Sequence, residues 1–220
     1  RARTPIDIRT HDVVIRYLRI RCGFSNAQLD YGSAVRLDDG NCYNVILDHC
    51  SMSWHPGRTG LTIWPDPNLC VTDLTLQRSI ASEALLGGNY PDGARGAHLL
   101  GSAVTSGAPN LDGYVDRISL YKTLMAHNLK RHPEAKNCQL DASWYITDYQ
   151  FINNVIYHFD NDGMFLEGNE NDDVTYHIPD DEACHYNVFG NYFKRSLIPD
   201  PLQSELTITP GTRLYVGDYT

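Results

Sequence analysis

The same short pattern recurs along this chain: a run of β-branched and aliphatic residues that closes on a small or polar side chain. Residues 13–18, 45–50, 74–79 and 118–123 carry it most clearly; 151–154, 189–191 and 216–218 carry it more loosely. The units close at positions 18, 50, 79, 123, 154, 191 and 218, with spacings of 32, 29, 44, 31, 37 and 27 residues. Repeats of this size imply a stacked array, because a single unit cannot bury its own apolar face. The segments are short and rich in Val, Ile, Leu, Tyr and Thr, which predicts strands. No segment sustains a helical period over three turns. Unit length varies, and the excess falls in Gly/Pro/Asp loops such as 38–41, 64–68, 87–93 and 106–110. A propeller or an up-and-down barrel would space its hairpin signals evenly. A parallel β-helix tolerates uneven loops, because an insertion in one turn leaves the stacked strands undisturbed.

The 220 residues suffice for one elongated domain spanning 1–220, and the sequence reads as the central part of a longer chain. Neither end resembles the polar cap that a solenoid requires, so end-to-end self-association is a further expectation. No stretch approaches the roughly 20 apolar residues of a membrane span, so no membrane partner is expected. The net charge of −9 argues against nucleic acid. Between 137 and 193 there are 11 acidic residues and no Lys or Arg. The densest run, 167–173, offers oxygen ligands of the kind Ca²⁺ takes, and it reads more readily as a solvated acidic loop. Six cysteines fit an oxidising compartment, and without a CxxC spacing they do not suggest structural zinc. Cys42 and Cys70 fall at nearly equivalent positions of neighbouring units, so a disulfide is geometrically open to them. Cys50 sits at an inward repeat position and is expected to be a buried small residue.

The stretch from Asn44 to Trp54 is a hydrophobic strand followed by Asp48-His49, a small residue and Ser53-Trp54. It resembles the pectate lyase family, polysaccharide lyase family one. Residues 11–21 look like that family's strand upstream of the active site, and 78–85 look like its "IISEGL" stretch. Residues 126–133 and 151–157 resemble the region of its catalytic arginine. The likeness runs in order over nearly the whole chain. It implies an all-β fold, a right-handed single-stranded parallel β-helix, in agreement with the repeat.

The resemblance also implies cleavage of α-1,4-polygalacturonate by β-elimination: a base removes the C5 proton and the C4 oxygen leaves. The family base is the first arginine of an R-x-P-x-x-R motif. The matching stretch here is Arg131-His132-Pro133-Glu134-Ala135-Lys136, so Arg131 takes the catalytic position and Lys136 stands for the second arginine. An arginine base needs cationic neighbours, because its ordinary pKa exceeds about 12. Lys130, His132 and Lys136 supply them in sequence. The bland reading of Arg131 is a surface residue that grips a carboxylate.

Ca²⁺ is the cofactor the resemblance implies, yet the usual ligands are missing. Ser33 stands where the second Asp of the family's D-x-D pair belongs, and 55–60 holds no acidic residue after Trp54. No metal ligand is therefore assigned. In the calcium-independent pectin lyase branch an arginine takes the place of the ion, and Arg58 falls near that position as a substrate-carboxylate binder. His98 and Trp54 complete the expected substrate contacts, with Trp64 and Tyr90 as further stacking candidates. Asp48 and His49 are expected to support the site through hydrogen bonds. The implied partner is an acidic, polygalacturonate-like polysaccharide, and the implied location is secreted or extracellular. A second reading stays open: a non-catalytic β-helix that binds glycan or serves as a structural module. Fold alone does not separate the two.

Overall fold

The computed structural model describes residues 4–23, 33–37, 39–55, 59–63, 65, 69–85, 95–99, 114–128, 131–135, 138–140, 143–145, 147–159, 163–166, 184–196, 204–209 and 212–217; for 95–99, 138–140 and 143–145 it describes the backbone alone. These residues form three parallel sheets visited in rotation, which is a parallel β-helix. The first sheet takes Ile6–Asp7, Val35–Leu37, Thr59–Ile63, Arg95–Leu99, Glu134–Ala135, Met164–Leu166 and Leu206–Ile208. The second takes Val13–Arg16, Cys42–Asp48, Cys70–Gln77, Tyr114–Tyr121, Asp148–Ile152, Cys184–Phe189 and Thr212–Gly217. The third takes Arg19–Arg21, Ser51–Ser53, Ile80–Ser82, Leu124–Ala126, Val155–Tyr157 and Tyr192–Lys194. Part of the insertion after Arg131 lies outside these sheets as an antiparallel pair, Cys138–Leu140 with Ser143–Tyr145.

Register explains why the repeat was visible. On the second sheet Val45, Leu74, Ile118, Tyr149 and Tyr186 lie in one column, and Leu47, Leu76, Leu120, Phe151 and Val188 in the next. All ten are buried, because alternate residues of each strand face the interior. Burying each large side chain contributes about 1.5–3 kcal/mol, so the stacked columns hold the coil together. Tyr149 and Tyr186 stack with ring centroids 5.1 Å apart, and the Tyr186 hydroxyl donates to the Ala135 carbonyl at 3.1 Å.

The turn from the second sheet to the third takes only two residues, and the unit ends read from sequence at 18, 50, 79, 123, 154 and 191 fall on its second position, while 218 lies outside the described residues. Their polar side chains form a ladder. Ser79 Oγ accepts from the Cys50 N–H at 3.0 Å, and Asn154 Oδ1 accepts from the Thr123 N–H at 2.9 Å. Asn191 Oδ1 accepts from the Asn154 N–H at 2.9 Å, while Asn154 Nδ2 donates to the Leu120 carbonyl at 3.0 Å. Backbone groups that the corner leaves unmatched are thus satisfied between rungs.

Sharp corners also demand left-handed backbone. Asp12 adopts it just before the second sheet, Asn44, Asp73 and Arg117 at the matching bend within its longer strands, and Tyr17, His49, Arg78, Lys122 and Asn153 on leaving it. Trp54, Glu83, His127 and His158 adopt it on leaving the third sheet. A side-chain-bearing residue there costs on the order of 1 kcal/mol relative to glycine. Among the described non-glycine residues with positive φ, Arg131 (φ 67°) alone stands outside these three columns.

The Cys42–Cys70 disulfide is not formed. Register pairs Cys42 with Val71 rather than Cys70, and both thiols are free. Cys42 Sγ donates instead to the Ile8 carbonyl at 3.2 Å, and burial pushes its pKa up to about 11. Cys50 is buried, as its position in the repeat requires.

Candidate functional site

The outer face of the first sheet carries one register column in which Arg36, Thr62, His98, Glu134 and Phe165 occupy successive rungs. His98 is thereby placed one rung from Glu134. Arg131 enters this sheet from the corner after the third sheet and reaches forward to Glu134, with Nη1 2.5 Å from Oε2. The Arg131 side chain is 24% exposed and that of Glu134 is 3% exposed, so the pair sits at the surface with its carboxylate buried. The segment between them is tied to the next rung: the His132 N–H donates to the Gly163 carbonyl at 2.6 Å, and the Phe165 N–H to the Pro133 carbonyl at 2.9 Å. The His132–Pro133 peptide is cis. His132 is fully buried, with its ring 5.9 Å from Phe159, and so is not a solvent-facing cation beside Arg131.

Asp48 and His49 stand at a different corner, between the second and third sheets. Arg16 donates to Asp48 Oδ2 from Nε at 2.8 Å and lies 2.7 Å from it through Nη2. His49 Nδ1 lies 2.8 Å from Asp48 Oδ1, and Arg78 Nη1 approaches the same oxygen to 3.6 Å. Burial pushes the Asp48 carboxyl up, but the hydrogen bonds from Arg16 and His49 outweigh it and hold the pKa below its ordinary 3.8. These contacts tie Arg16, His49 and Arg78 together across neighbouring rungs of the coil. The structure does not bring Asp48 and His49 to Arg131.

Trp54 lies at the same class of corner as Arg131, where the chain leaves the third sheet. Its indole N–H donates to Glu83 Oε2 at 3.0 Å, and the Arg21 guanidinium sits 5.8 Å from the ring centroid. It is 46% exposed, which leaves ring surface open. Arg58, Lys136, Lys130, Trp64, Tyr90 and the acidic run 167–173 lie outside the described residues. Sequence reading missed Glu134 and Glu83, because the family motif leaves the Glu134 position unspecified and Glu83 meets Trp54 only when two rungs stack.

Around Ser33 the described residues do not suit Ca²⁺. Ser33 is buried, and its Oγ lies 2.6 Å from Thr62 Oγ1 and 3.3 Å from Thr59 Oγ1; the two threonine hydroxyls also meet. Three neutral hydroxyls already bonded to one another do not match a hard divalent cation that takes carboxylate oxygens. Among the described residues no group of three His, Cys, Asp or Glu side chains is placed to hold a metal.

With this geometry in place, comparison with known proteins adds a second line of argument. The chain is similar to curated pectate lyases. A probable pectate lyase C of Aspergillus terreus is 25% identical over 207 residues, covering 94% of this chain and 37% of that protein. A probable pectate lyase C of Emericella nidulans is 23% identical over 207 residues, covering 94% and 36% respectively. The chain thus spans little more than a third of the length of these relatives. No family model matches the sequence. Among the described residues no helix is long and apolar enough to cross a membrane.

Proposed function

We propose that this chain is the β-helical body of a secreted pectate-lyase-like enzyme that cleaves a polygalacturonate-type acidic polysaccharide by β-elimination. The likeness to curated pectate lyases across 94% of the chain carries this reading. The place of Arg131 beside the outer face of the first sheet supports it. In the proposed reaction Arg131 accepts the C5 proton, a C4–C5 double bond forms, and the C4–O bond breaks with the oxygen leaving to take a proton from solvent. Arg58 and Lys136 bind substrate carboxylates, and His98 and Trp54 contact the sugars. The mutual hydrogen bonding of the Ser33, Thr59 and Thr62 hydroxyls favours Arg58 over Ca²⁺ as the source of positive charge in this reading.

One observation favours the second reading, a glycan-binding module without catalysis. A guanidinium that faces a carboxylate at 2.5 Å is arranged as a carboxylate-gripping group, which suits binding of an acidic polymer better than proton abstraction. Ultraviolet absorbance of the unsaturated product separates the two readings, measured on polygalacturonate and on methylated pectin, with and without EDTA. Product that persists in EDTA is the expected result. No product under any of these conditions makes the binding module the better account.

A further inference from the structure

The corner between the second and third sheets repeats one backbone conformation on six rungs: Tyr17, His49, Arg78, Lys122, Asn153 and Gly190 all have φ between 47° and 59°. Asn153 and Gly190 are residues that tolerate this region. The first four rungs instead carry large side chains that it disfavours. The corner imposes this conformation, so what singles out its first four rungs is the kind of side chain they display rather than asparagine or glycine.

Those side chains face solvent together. Tyr17 is 70% exposed, and its ring lies 5.1 Å from that of His49. The Arg78 side chain is 45% exposed, and Lys122 is exposed, with Nζ 5.0 Å from the Tyr121 ring centroid. Arg16 flanks the column, its guanidinium 5.5 Å from the Tyr17 ring. Arg16 and Arg78 share one carboxylate, Asp48, so this corner keeps an excess positive charge on a chain whose net charge is −9.

We propose that this corner is a binding track for an acidic polysaccharide lying along the coil axis, separate from the first-sheet face that holds Arg131. Rungs recur at about 4.8 Å, close to the length of one pyranose residue, so the column of side chains is commensurate with a uronate chain laid along the coil axis. Open Tyr17 and His49 rings suit the C–H faces of pyranoses. The proposal borrows the polymer from the proposed function but not its cleavage, and it stands whether or not Arg131 catalyses.

The test is binding of the whole protein to polygalacturonate by affinity electrophoresis. The triple variant Tyr17→Asn, Arg78→Asn, Lys122→Asn removes the displayed groups while supplying the residue that this backbone favours. It is expected to bind about tenfold more weakly, with the difference shrinking at high salt. Asn153→Lys, an independent arm, extends the track by one rung and is expected to bind more tightly. Unchanged affinity in both variants overturns the proposal. Wild-type retention on single-stranded DNA equal to that on polygalacturonate overturns the assignment to a polysaccharide. Failure of the lyase reading appears separately, as absence of unsaturated product.

Discussion

Arg131 and Glu134 form an ion pair 2.5 Å long where the chain enters an interior strand of the first sheet, and its carboxylate is almost wholly buried. Removing one member breaks this pair, and loss of one member of a buried pair typically costs about 3 kcal/mol. Arg131→Ala and Glu134→Gln are each expected to destabilise the protein, and the double variant should lose less than the sum. A double-mutant cycle in urea measures this; strict additivity contradicts the pairing.

Asp48 makes stability depend on pH. Its folded pKa lies below the ordinary 3.8, so its contribution is fully present above that value and is lost as pH falls through the folded pKa. Asp48→Asn should therefore be less stable than wild type near neutral pH, and the gap should close in acid. Thermal midpoints across pH check this, and a gap that widens in acid contradicts it.

The polar ladder predicts a larger effect than an ordinary surface asparagine would give. Asn154 is buried, accepts from the Thr123 N–H and donates to the Leu120 carbonyl. Asn154→Ala strands both groups and is expected to cost about 2 kcal/mol, read from the denaturant midpoint.

Gly163 lies against the backbone of the next rung, just ahead of its first-sheet strand. A Cβ placed there would lie 2.2 Å from the Glu205 carbonyl oxygen, which is backbone and cannot swing aside. Gly163→Ala should cost about 2 kcal/mol, and a neutral result would contradict the packing of these rungs.

The stacked columns were legible in sequence because every rung must present the same residue class at the same place. Unit ends 50, 79, 123, 154 and 191 coincide with the corner ladder for that reason. The 32-residue spacing also pairs Arg16 with Asp48, so their ion pair was available from the repeat without any structure. Left-handed corners at Tyr17, His49, Arg78 and Lys122 were not legible, because these residue types carry no turn signal. Cys42 and Cys70 misled by one residue of register, a slip that spacing alone does not resolve. Glu134 escaped because its pairing depends on how the Arg131 turn folds back on the sheet.

The proposal that Arg131 is the base of an elimination is tested most directly by the rate of unsaturated product formation from polygalacturonate in whole-protein wild type and Arg131→Ala, with substrate affinity measured in parallel. The proposed mechanism predicts product from wild type and a loss of at least about a hundredfold in the variant, as removal of a general base implies, while substrate still binds. Product formed by Arg131→Ala at the wild-type rate would contradict it.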